Sequence, residues 1–165
     1  MKTLKFIPAL LILFFSVLCI CSCTTPHSET ESVELDDLAF DSTLAAQLGA
    51  DDYGMKKYVI AFLKRGPNRS QDSVTRAELQ KGHMENIGRL ADERILVLAG
   101  PFFGDDDLRG IYIFDVQTIE EAEALTNTDP AIQQGSLIME LKPWYGSAAL
   151  MQVNDIHSKL AKIKF

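Results

Sequence analysis

Ile95-Leu-Val-Leu-Ala-Gly-Pro-Phe-Phe-Gly-Asp-Asp-Asp-Leu-Arg-Gly-Ile-Tyr-Ile-Phe-Asp-Val116 is the stretch on which the fold turns. Two apolar runs, Ile95–Ala99 and Ile111–Val116, flank a segment of Gly, Pro and Asp. Short apolar runs bounded by such breakers read as strands. Gly100-Pro101 closes the first, and Gly104-Asp-Asp-Asp107 reads as a solvated hairpin turn. Immediately outward lie two helix signals. Thr75-Arg-Ala-Glu78 has the pattern of a capping box and predicts a helix to about Asp92. Thr118-Ile-Glu-Glu121 repeats it and predicts a helix to about Asn127. Further out, Tyr58–Leu63 is an apolar run rich in strand formers, broken by Gly66-Pro67-Asn68. On the other side, Asp129-Pro130 starts a short helical turn ending at Gly135, and Leu137–Leu141 is the last strand. Lys142-Pro143-Trp144-Tyr145-Gly146 is read as the end of the sheet. The order β-α-β-β-α-β is that of an α+β, ferredoxin-like domain. Ala149, Val153, Ile156, Leu160 and Ile163 recur at helical spacing, which adds a C-terminal amphipathic helix within residues 147–165.

Such a sheet carries helices on one face only. Its first three strands are nevertheless apolar at both alternating sets of positions, as in strands buried on two sides. Either the C-terminal helix or a second subunit covers the open face, and a homodimer is the arrangement expected.

The 165 residues carry a formal charge of −7, which argues against a nucleic-acid partner, because that function needs a basic face. All three cysteines, Cys19, Cys21 and Cys23, lie at the N-terminal end, so disulfide and thiol chemistry are excluded from the body of the chain. Lys2 and Lys5 precede an apolar run from Phe6 to Ile20, as in a secretory signal. Ile20-Cys21-Ser22-Cys23 resembles a bacterial lipobox, with Cys23 as the residue that takes the lipid. Residues 1–22 are thus expected to be a lipoprotein signal peptide. Thr24 after Cys23, rather than Asp, favours the outer membrane by resemblance to sorting signals. The protein is then expected in the cell envelope, lipid-anchored and facing the periplasm. Residues 23–54 form an acidic tether with room for one short helix, Ser42 to Leu48, capped by Ser42 and Gly49. The folded domain spans residues 55–146.

Within that domain, Tyr58-Val-Ile-Ala-Phe, His83 in mid-helix, Gly100-Pro101-Phe102, Leu108-Arg109-Gly110, Asp129-Pro130-Ala-Ile and Pro143-Trp144 follow in one order. That order resembles the YCII-related domain family of small dimeric α+β barrel proteins. The resemblance implies an acid–base dyad at the positions of His83 and Asp129. It also implies, from a few relatives, action on small aromatic or lactone-like compounds, including dechlorination.

The residues themselves allow plainer readings. His83 shares a helix stripe with Leu79, Ile87 and Leu90, and so points toward the sheet. It is either a core histidine bonded to a backbone carbonyl or a general base tuned by its surroundings. Gly82 beside it costs about 1 kcal/mol relative to Ala, which implies close approach by a strand or a ligand. Asp129 before Pro130 is sufficiently explained as a helix N-cap. It serves a dyad as well only if its two oxygens divide the work. Arg109 either holds an anionic substrate with its fork of donors or answers Asp105, Asp106 and Asp107. Phe102 and Trp144 either wall a substrate pocket or pack in the core and dimer. No metal site is predicted, since the three histidines are far apart. No cofactor is predicted either, since no phosphate-cradling glycine motif occurs. Two functions remain: an enzyme using His83 and Asp129 on an unknown small molecule, or a non-catalytic binding or assembly module.

Overall fold

The computed structural model describes residues 39–163. The expected signal peptide, the lipidation residue Cys23 and the tether up to residue 38 lie outside the described residues.

Four strands build the sheet: β1 (Met55–Arg65), β2 (Leu96–Pro101), β3 (Leu108–Phe114) and β4 (Leu137–Ser147). Their spatial order is β2-β3-β1-β4, with every neighbouring pair antiparallel. Helix α2 (Ser73–Asp92) joins β1 to β2, and α3 (Ile119–Thr126) with the short α4 (Pro130–Gln133) joins β3 to β4. This is the β-α-β-β-α-β ferredoxin-like arrangement that the apolar runs predicted. Alternation along β1 sends Val59, Ala61 and Leu63 toward the helices, where they pack with Leu90, Tyr112, Phe114 and Ala122. Each fully buried side chain of Val or Phe size is worth roughly 1.5–3 kcal/mol. On the opposite face Tyr58, Val97 and Ile113 form a smaller cluster, joined by Leu150 and Met151.

Three local expectations need correction. Helix α2 is capped by Asp72, whose carboxylate accepts from Thr75 N–H at 2.8 Å, so Thr75 is already inside the helix. The Thr75–Glu78 pattern is therefore not its capping box. Helix α1 (Ser42–Leu48) is likewise capped by Asp41 rather than Ser42, although Gly49 closes it in the left-handed conformation as expected. In both cases an aspartate just upstream offers the stronger acceptor. The third concerns β4, which does not end before Lys142 but continues through Pro143, Trp144, Tyr145 and Gly146 to Ser147. The missing N–H of Pro143 is tolerated because β4 is an edge strand. The box at Thr118 and Glu121 forms as predicted.

After β4 the chain makes a 3-10 turn (Ala148–Gln152) and then α5 (Val153–Leu160). The tail is shorter and more broken than the apolar spacing suggested. Leu150 and Met151 cover one end of the outer sheet face, while Ile156, Leu160 and Ile163 remain exposed. Among the described residues no helix is long and apolar enough to cross a membrane.

Candidate functional site

Helix α2 buries His83, Asn86 and Leu90 against the sheet and the neighbouring helices. His83 and Leu90 belong to the stripe read from the sequence, whose other members Leu79 and Ile87 are half-buried, while Asn86 was not part of it. His83 Nδ1 lies 2.6 Å from Asp129 Oδ2. Asp129 is completely buried, and its other oxygen, Oδ1, accepts the N–H of Ala131 at 2.8 Å as the N-cap of α4. The two oxygens do divide the work. A carboxylate only accepts, so His83 must carry its proton on Nδ1. In the neutral ring Nε2 then has a free lone pair, and Tyr112 Oη stands 3.2 Å away to donate to it. Tyr112 projects from β3 on the helix-facing side and is 2 % exposed. Burial, and secondarily the charge of Asp129, raises its hydroxyl well above the ordinary phenol value. At neutral pH it is therefore a donor. The three side chains form a buried chain of Asp129, His83 and Tyr112.

Backbone packing sets the spacing of this chain. A Cβ placed on Gly82 would stand 2.9 Å from Cγ of Pro130. The close approach implied by a mid-helix glycine is thus made by α4. A second tie sits one turn along α2, where Thr128 Oγ1 donates to Asn86 Oδ1 at 2.9 Å and Arg89 Nη2 donates to the same oxygen at 2.8 Å. Together these contacts hold the loop bearing Asp129 against α2.

A cavity of about 240 Å³ opens beside this arrangement. Leu79, one helical turn before His83, and Ala131, whose N–H Asp129 caps, form part of its wall. Arg109 lines it as well. The Arg109 guanidinium also donates to the carbonyls of Gly104 and Asp106 and lies 3.5 Å from the Asp105 carboxylate, so the local acidic turn does engage it.

Phe102 and Trp144 do not join the site. Phe102 sits after β2, 45 % exposed, its N–H bonded to Arg109 O. Trp144 pairs across β1 with Tyr58, whose cluster lies on the sheet face away from His83. The sheet itself separates the indole from the dyad. Tyr112 is not among the residues that the sequence reading singles out. The signal available was a hydroxyl-bearing ring among Ile111, Ile113 and Phe114, at a position in phase with the buried Phe114.

A ferredoxin-like domain holding a buried His–Asp pair between its helices defines the class of protein. A model of the YCII-related domain family matches residues 58–145. The chain belongs to that family. It is 35% identical over 63 residues to the Uncharacterized protein YjpA of Bacillus subtilis (strain 168), covering 38% of this chain and 72% of that protein. Among solved structures it is similar to 5-chloro-2-hydroxyhydroquinone dehydrochlorinase from Burkholderia phenoliruptrix AC1100, in complex with 2,5-dihydroxybenzoquinone. That match has 15% identity and a TM-score of 0.41, covering 54% of this chain and 93% of the other.

Proposed function

We propose that this YCII-domain protein performs acid–base chemistry on a small cyclic or aromatic compound, with His83 as the proton-transferring group and Asp129 fixing its tautomer. The observation that carries this reading is the 2.6 Å contact between Nδ1 and a carboxylate with no exposure to water. Such a pair directs the imidazole lone pair away from Asp129 and toward a reaction partner. Tyr112 now holds that lone pair, so protons enter or leave Nε2 through the Tyr112 hydroxyl or after it has been displaced.

The second reading is a non-catalytic small-ligand-binding or assembly module. It is favoured by the filled space around His83, which is 8 % exposed and does not line the cavity. One experiment separates the two. Wild type and His83→Gln are screened for turnover and for binding against small cyclic and aromatic compounds. A compound converted by the wild type and left unconverted by His83→Gln sustains the enzyme. Equal turnover by both removes His83 from the mechanism, and binding by both without turnover establishes the module.

The protein acts at the membrane, anchored through an acylated Cys23 and facing the periplasm of an outer membrane. The lipobox-like Ile20-Cys21-Ser22-Cys23 supports this. Cys23→Ser should abolish fatty-acid labelling in cells, and persistent labelling would refute the assignment. It acts as a homodimer, because the tail covers only one end of the outer sheet face. Ile60, Phe62 and Ile111 on the remainder are only partly buried. Light scattering should give twice the chain mass; a monomer would mean that the tail suffices.

A further inference from the structure

The cavity beside the dyad has an unusual electrostatic lining. Four guanidinium groups, from Arg65, Arg69, Arg76 and Arg109, share its wall with a single carboxylate, that of Asp105. The chain as a whole is acidic, with a formal charge of −7. Positive charge has therefore been gathered locally against the trend of the molecule. Asp105 answers Arg65 and Arg109, but it projects into solvent with its side chain 91% exposed. Arg69 and Arg76 have no carboxylate within salt-bridge distance among the described residues. They donate instead to backbone carbonyls, those of Ser136 and Gln71 respectively. An arginine fork satisfied only by neutral acceptors retains both charge and donors for an anion. A further donor points the same way. Gln71 lines the cavity, and its Nε2 is buried with no hydrogen-bond partner. Buried donors are rarely left unpaired, and a rotation of the Gln71 side chain toward the cavity would give this one a ligand acceptor.

We propose that this cavity is a binding site for a small oxyanion, the carboxylate or phosphate group of the ligand. The inference deepens the ligand-site reading and rests on it, but not on proton transfer at His83. Size agrees: about 240 Å³ is below the roughly 300–1,000 Å³ of sites for drug-sized molecules. The anionic group lies over Arg69 and Arg76, and the body of the ligand extends along Leu79 and Ala131 toward the dyad.

The test is calorimetric titration of the full-length protein, purified in non-ionic detergent at low salt, with succinate and separately with inorganic phosphate. At least one probe should bind saturably. The double variant Arg69→Gln/Arg76→Gln should weaken that binding by roughly tenfold or more, since charge-assisted forks are about twice as strong as neutral hydrogen bonds. Both arginines are exposed, so its melting curve should match the wild type. Saturable binding of succinate alone assigns a carboxylate, and of phosphate alone a phosphoryl group. His83→Gln should bind the same probe with unchanged affinity, which keeps the anion site distinguishable from the dyad chemistry. No saturable binding of either probe, undiminished binding by the double variant, or an equal loss in His83→Gln would each overturn the proposal.

Discussion

Asp129→Asn is expected to reverse the proton polarity of the buried chain while leaving the fold nearly intact. Asparagine keeps an oxygen where Oδ1 accepts from Ala131 N–H, so the cap of α4 survives. It places an amide donor where Oδ2 now accepts from His83. Nδ1 must then lose its proton to become an acceptor, and Nε2 gains one. The Tyr112 hydroxyl turns from donor to acceptor, which a rotating O–H allows. The exchange keeps both contacts but leaves the Tyr112 O–H, whose only partner among the described residues is His83, without an acceptor. The stability cost should be about 1–2 kcal/mol, set by weaker neutral bonds in place of charge-assisted ones. Nitrogen-15 chemical shifts of the imidazole report the tautomer directly. Protonated Nδ1 in the variant would show that Asp129 does not dictate it. Asp129→Ala should differ sharply. It strands the N–H of Ala131 and that of His83 in a buried space, at about 1–3 kcal/mol each. Urea denaturation should therefore separate the two variants by several kcal/mol, and equal midpoints would mean that the buried bonds add little.

The second large effect is expected at Gly66. This residue is buried where the loop after β1 crosses the loop before β4. Its N–H donates to Ser136 O at 2.9 Å, and Asn68 N–H donates to Gly135 O at 3.0 Å. A Cβ on Gly66 would lie 2.2 Å from Gly135 O and 2.7 Å from Ser136 C. Both are backbone atoms fixed by these bonds, so no flexible side-chain end can yield. Gly66→Ala must part the two loops, at about 3 kcal/mol or more, the upper end of overpacking costs. A fall in melting temperature on the order of 10 °C should result. Gly88, within α2, is the control, because a Cβ there meets nothing within 4 Å. Gly88→Ala should stabilise by about 1 kcal/mol through helix propensity alone. A melting point for Gly66→Ala equal to that of the wild type would mean that the crossing is looser than the contacts imply.

Much of this architecture could be read from residue order, and the exceptions have physical reasons. Apolar runs with breakers located all four strands, because strand burial leaves a local mark on composition. The far end of β4 was missed because Pro143 reads as a terminator unless the strand is known to lie at an edge, and edge position is a property of the assembled sheet. The caps of α1 and α2 lie earlier than the hydroxyl residues suggest, since Asp41 and Asp72 compete with them and only geometry shows which oxygen reaches the amide. His83 and Asp129 were visible as a stripe position and a capping dipeptide, but neither pattern says that they meet. Family resemblance implies their pairing, and the fold supplies the contact. Tyr112 carries no motif, and Arg65, Arg69 and Arg76, though close together in sequence, fall in three settings, the end of β1, the loop after it and the start of α2, so no single element's pattern marks them as one cluster. Arg109 alone stands out in the sequence, for its place after the turn. Sequence order places Trp144 near the site but does not reveal which side of a sheet its ring occupies.

The contact between Gly82 and Pro130 has a consequence for how this domain tolerates change. A single hydrogen atom serves as the spacer between two helices, and the His83–Asp129 bond inherits its length from that spacer. Any larger group at residue 82 improves helix propensity by up to about 1 kcal/mol while wedging α4 outward. Loss and gain then fall on different properties. The domain can stay folded, or even melt higher, with the His83–Asp129 contact lengthened. The spacing of the pair is thus a finer tolerance than the stability of the fold that carries it, and thermal melting alone would not detect its loss.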